Sequence, residues 1–261
     1  MEPVTIFDVL HRYQIKDIDD VPAIEDRIGT SLRSSSITSC IYDIEAKNRW
    51  AREEIETITK IIPKIADETV KLKKAEADYV SRVLLQMFGN DRDYREKMVK
   101  HSHYALITTA TLWDLTARLM WSFYEAKLNE FESRFPKICG YLRGRDELHD
   151  FFEQVGIGFN KHNDAYLRHD TVLLKLLEYR NKVVHGVTGI ISTPSVMDEL
   201  RGGWIESWTY YDHFKDKVRN VKIITPAEWA DLVAKSYSHF VDSYNILLGI
   251  IERTVEERGK L

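Results

Sequence analysis

Residues Val172–Gly186 read VLLKLLEYRNKVVHG. Leu173, Leu176, Leu177, Val183 and Val184 recur at helical spacing and define an apolar side that packs a helix into a core. The remaining side is polar. At roughly 100° per residue, Asn181 and His185 are i and i+4 on one face, with Arg180 about a quarter turn away and long enough to swing across. Gly186 suits a left-handed C-terminal cap, which places His185 in the last turn beside unpaired carbonyls, where the helix dipole favours imidazolium. A histidine in that setting gives or takes a proton near neutrality, and a guanidinium grips a phosphate through two hydrogen bonds. The pair suits phosphodiester chemistry.

The motif also separates itself from look-alikes. Arg95 to His101 and Arg143 to His149 have similar spacing, but only Arg180 has an adjacent Asn, an aliphatic helix before it and a glycine after its His. On Arg180, Asn181 and His185 the chain resembles the HEPN superfamily, whose signature is an Arg, often followed by a polar residue, then a His after four to six residues. The resemblance implies a mainly α fold, an antiparallel bundle of long helices. It also implies a homodimer that brings two motifs together as a metal-independent RNA-cleaving site with no cofactor. Members of that superfamily often act as toxins or phage-defence effectors, which implies an antitoxin-like regulatory protein as a partner.

Composition sets outer limits. A chain of 261 residues with 44% hydrophobic content can bury a sizeable core. The net charge of −4 and a pI near 6.2 argue against a general nucleic-acid-binding surface, so any RNA contact is local. Cys40 and Cys139 are far apart and form no C-x-x-C, which suggests reduced thiols, no zinc ribbon and a cytoplasmic setting. The first residues lack a continuous apolar run and no later stretch is long enough to span a membrane, so no membrane partner is expected.

Two regions are expected along the chain: an N-terminal helical region over 1–90 and a HEPN-like bundle over 91–261. After Pro22 a weakly helical stretch runs to Leu32, and Ser34, Ser35 and Ser36 suggest a break. Ile44, Ala51, Ile55, Ile58 and Ile62 predict a helix from about Tyr42 to Ile62, which Pro63 should end or kink. A second run from Ile65 to Leu84, stopping at Gly89 and Asn90, would complete an antiparallel hairpin with it. Asp91 to Phe131 reads as a central buried helix. Within it, Asp114 looks like a buried carboxylate, costly unless paired. The resembled family implies a supporting role for it in positioning Arg180; an ordinary i,i+4 pair with Arg118 is the other reading.

Pro136, Gly140 and Gly144 suggest a loop from Arg134 to Arg145, followed by a short helix through Leu148, Phe151, Phe152 and Val155 that Gly156 and Gly158 end. Basic residues gather around the motif, and Arg168, Lys175 and Lys182 are RNA-binding candidates; acids interspersed among them equally fit a solvated surface. Between 187 and 225 the β-prone runs VTGIIST, WIESWTYY and VKIIT predict a small inserted β-hairpin. Its Trp204, Trp208, Tyr210 and Tyr211 fit base stacking or packing on the bundle. Thr225, Pro226 and Glu228 then start a final helix that runs to about Arg258.

Phosphate-loop, nucleophile-elbow and H-E-x-x-H signatures are absent from the sequence. His101 and His103 point about 200° apart if helical and then cannot share a metal, so no metal is expected. The sequence therefore reads as a metal-independent endoribonuclease with Arg180, Asn181 and His185 catalytic. The rival reading is a non-catalytic module that uses the same residues to bind a nucleotide or a protein.

Overall fold

The computed structural model describes residues 32–74, 91–124, 126, 135–162, 164–169, 171–184 and 226–258, together with four two-residue strands between 204 and 224. The described chain is mainly helical. Helix α1, Leu32–Lys74, and helix α2, Asp91–Phe123, pack along one another. Three contacts give their direction: Cys40 feels the charge of Arg118, Glu54 meets His101, and Lys64 lies over the Tyr94 ring. Advance along α1 is retreat along α2, so the two form an antiparallel hairpin.

This hairpin is not the one expected from the sequence. Pro63 neither ends nor divides α1, and Ser34–Ser36 lie inside its first turns. A proline within a helix costs about 3 kcal/mol through the lost amide and the ring clash. Ile61 and Ile65, both buried, contribute about 1.5–3 kcal/mol each when the helix continues along α2. Burial offsets the proline. Residues 75–90, which include most of the expected second arm, lie outside the described residues.

Helix α2 runs through the core, with Leu106, Leu112, Trp113, Leu119, Met120 and Phe123 buried. It ends at Phe123, short of the expected Phe131. The expected loop after Arg134 contains helix α3, Phe135–Tyr141, because Pro136 falls in its first turn, where no intrahelical amide partner is needed. A single 3-10 turn, Asp146–Leu148, leads into helix α4, His149–Val155. Gly156 closes α4 at φ 81°, its N–H reaching the carbonyls of Phe152 and Glu153. Gly158 is not part of that stop. It lies in strand β1, Ile157–Phe159, paired antiparallel with β2, Ala165–Leu167, a hairpin the sequence reading did not anticipate.

Helix α5, Val172–Val184, follows. The insertion after it holds strands β3, Trp204–Ile205, β4, Tyr211–Asp212, β5, Lys217–Val218, and β6, Ile223–Ile224. β3 pairs with β6 and β4 with β5, both antiparallel, so the inner pair is nested within the outer one. The expected β insertion is present in that form; the VTGIIST run lies outside the described residues. Helix α6, Pro226–Arg258, begins at the expected proline and packs on α1, α2, α4 and α5.

One buried cluster runs from Ile37 on α1 to Val255 on α6, so residues on both sides of the expected boundary near 90 share a core. An aromatic chain through it links Trp113 to Phe135 at 5.0 Å, Phe135 to Phe151 at 6.1 Å and Phe152 to Phe159 at 5.7 Å. Among the described residues no helix is long and apolar enough to cross a membrane.

Candidate functional site

Helix α5 is started by Thr171. Its Oγ1 accepts the Leu174 N–H at 3.3 Å, an N-cap that satisfies one of the donors left open at a helix start. At roughly 100° per residue, Leu173, Leu177, Arg180 and Val184 lie within about 60° of one another, on one stripe. Exposure rises along it: Leu173 is buried, Leu177 and Arg180 are half-buried, and Val184 is 50% exposed. The helix therefore emerges from the core at its C-terminal end, and Arg180 stands where the apolar contact gives out.

This corrects the expectation that Val184 packs into the core. Its phase is right, but a side chain is buried only where a neighbour covers it. The elements that pack on α5, α2 and α6, leave its last turn open among the described residues. The same emergence suits Arg180, whose stem can lie on apolar surface while its head reaches water. Arg180 Nη1 donates to Asn181 Oδ1 at 3.0 Å. Because a guanidinium only donates, this bond fixes the Asn181 amide with its oxygen toward Arg180 and its NH2 directed elsewhere. Asn181, Glu178 and Lys175 are exposed on the same helix.

The other half of the motif, His185 and Gly186, lies outside the described residues, as do the side chains of Lys182 and Val183. Asp114 is exposed on α2, which corrects the expectation of a buried carboxylate needing a partner. The hydrogen bond described for Arg180 goes to Asn181 and not to Asp114. Arg168 is engaged: its Nη2 lies 2.9 Å from Glu153 Oε2 and its backbone N–H donates to the Gly156 carbonyl, holding the end of β2 against α4. A phosphate at Arg168 would compete with that carboxylate.

His101 and His103 are helical and diverge, as their spacing requires. His101 Nδ1 lies 2.5 Å from Glu54 Oε2 across the α1–α2 hairpin, whereas His103 Nε2 is buried without a hydrogen-bond partner, and burial lowers its pKa. His239 on α6 is similar, its pKa lowered by burial. Nothing in the segment around His239 marks the indole of Trp113 that it meets across the core. Among the described residues no group of His, Cys, Asp and Glu could hold a metal ion. At the C-terminal end of α5 the arrangement offers one half-buried cation, Arg180, held by an oriented amide, Asn181; Lys175 is exposed in the first turn of the same helix. In comparisons with known proteins, no family model, no curated protein and no solved structure matches this chain.

Proposed function

We propose that the chain is a metal-independent endoribonuclease of HEPN-like type, with its site at the C-terminal end of α5. The observation that carries this reading is Arg180 emerging half-buried at that end with its guanidinium held by Asn181 at 3.0 Å, five residues before His185. In the proposed reaction the ribose 2′-oxygen attacks phosphorus while a base takes its proton; the P–O5′ bond breaks and the leaving oxygen gains a proton. His185 serves one of these proton transfers and Arg180 stabilises the charge on the five-coordinate phosphorus. Asn181 holds Arg180 in place and turns its amide donors toward the phosphate. A homodimer would supply the second copy of the motif. A toxin or phage-defence role, with an antitoxin-like protein restraining it, belongs to the same proposal.

The test is cleavage of a labelled single-stranded RNA in EDTA by wild type, Arg180→Ala and His185→Ala, with analysis of product ends. Cyclic-phosphate ends that vanish in both variants are expected. Equal cutting of DNA, which lacks the 2′-hydroxyl nucleophile, or a requirement for a divalent metal would sink the proposal.

A second reading is a non-catalytic module that binds a nucleotide or a protein through the same helix end. Val184, 50% exposed near Arg180, gives that helix end one apolar contact point for such a partner. Retained binding of a partner by wild type, with no cleavage of several RNAs, would select it.

A further inference from the structure

Trp113 is among the largest fully buried side chains, at 1% exposure, and its indole Nε1 has no hydrogen-bond partner. Across the α2–α6 contact stands His239, whose Nε2 is also buried and without a partner. Their ring centroids are 5.8 Å apart with the planes tilted by 39°. An indole N–H only donates, and a neutral imidazole carries one nitrogen that accepts. Two orphaned buried polar atoms of complementary kind on adjacent rings form a matched pair, directly on small rotations or through one water. A protonated imidazole has only donors. It would then set N–H against N–H inside a contact otherwise built from Phe135 and Phe240, which pack on Trp113 at 5.0 and 5.4 Å.

We infer that Trp113 and His239 form a proton-sensitive latch between α2 and α6, closed while His239 is neutral and released when it is protonated. The surroundings reinforce this. Burial is the cause of the lowered His239 pKa; the acids on the elements packed against α6 are Glu45 on α1, Asp114 on α2, Asp150 on α4 and Glu178 on α5, with Asp242 one turn along α6 itself, and of these Asp114, Asp150 and Glu178 are exposed to water. A proton entering there loses solvation that no hydrogen bond to Nε2 replaces. Helix α5 packs on α2 and α6, so release would loosen the support of the helix that carries Arg180. That consequence for the site rests on the ribonuclease reading; the latch does not.

The test uses the full chain and reads no RNA cleavage, so it stands or fails apart from the proposed activity. The His239 ring protons are titrated by NMR, and amide exchange in α5 and α6, corrected for intrinsic rates, is followed from pH 7.5 to 5. We expect a His239 midpoint below the ordinary 6.5, with protection in α6 and α5 falling at least tenfold as the ring protonates. His239→Phe should lose clearly less protection over the same range, and His103→Phe should still show the fall in α5 and α6 as the His239 ring protonates. Should His239→Phe fail to fold, His239→Gln supplies a neutral replacement with the same expectation, and Trp113→Phe should move the His239 midpoint. Titration of His239 without loss of protection would overturn the latch. So would an acid response unchanged in the His239 variant, which would assign that response to His103 or to the Glu54–His101 pair.

Discussion

Gly156 and Thr171 touch so closely that a β-carbon on the glycine would overlap the Thr171 methyl group. The glycine is the left-handed cap of α4 and the threonine is the N-cap of α5, so the end of one helix and the start of the next are fixed by one contact. The β1–β2 hairpin between them adds a second tie, through the Arg168 N–H to the Gly156 carbonyl at 2.9 Å. The position of α5, and with it Arg180, is set at this junction.

Gly156→Ala should therefore destabilise the protein by about 1–3 kcal/mol, from the left-handed backbone and the overlap together. Thr171→Ala should cost about 1 kcal/mol through loss of the cap. The double variant should be less destabilised than the sum, because removing the methyl group relieves the overlap. Chemical denaturation of the four proteins measures the difference, and strict additivity would show that the contact carries no strain.

Pro63→Ala should raise stability by about 1–3 kcal/mol. Alanine restores a helical amide and removes the ring clash, gains that exceed the smaller entropic advantage proline has in the unfolded chain. A thermal melt checks this, and a lower midpoint would mean that α1 is shaped around its proline.

The Tyr237 hydroxyl donates to Asn48 Oδ1 at 2.7 Å, joining α6 to α1. Tyr237→Phe should cost about 1 kcal/mol, or roughly 2–4 °C of melting temperature. Alkali should reverse the ranking. Burial pushes the Tyr237 pKa up to about 12 from 10.0, so above pH 10 the unfolded chain releases a proton that the folded one retains. Wild type should lose stability from pH 10 upward more steeply than the Phe variant.

Acid should destabilise the fold through His103 and His239. Both have pKa values lowered by burial from 6.5, so as pH falls below about 6.5 the unfolded chain takes up protons that the folded chain refuses. The stability that neutral histidines confer is full above that range and declines as pH drops toward the folded values. Denaturation at pH 7.5 and 5.5 should show the loss, and His103→Phe should remove part of it. The Asp242 pKa is raised by burial, so its protonation at lower pH acts in the opposite direction.

The apolar periodicity of α2, α5 and α6 was enough to reveal those helices, and Thr225-Pro226, Val172 and Gly156 marked two starts and a stop, because these signals act within a turn or two of the chain. The hydrogen bond from Arg180 to Asn181 joins sequence neighbours and is local in the same sense. What lay beyond reach were outcomes set by distant partners. Pro63 is carried through α1 because α2 buries the isoleucines around it. Asp114 and Val184 sit in apolar-looking helices yet face outward, since burial depends on whether another element covers that part of the helix. His239 gained its neighbour Trp113 only when α6 closed on α2. Local sequence decides where helices start and which sides are apolar; the tertiary contacts, worth several kcal/mol across the core, decide which breaks are overridden and which polar groups are taken out of water.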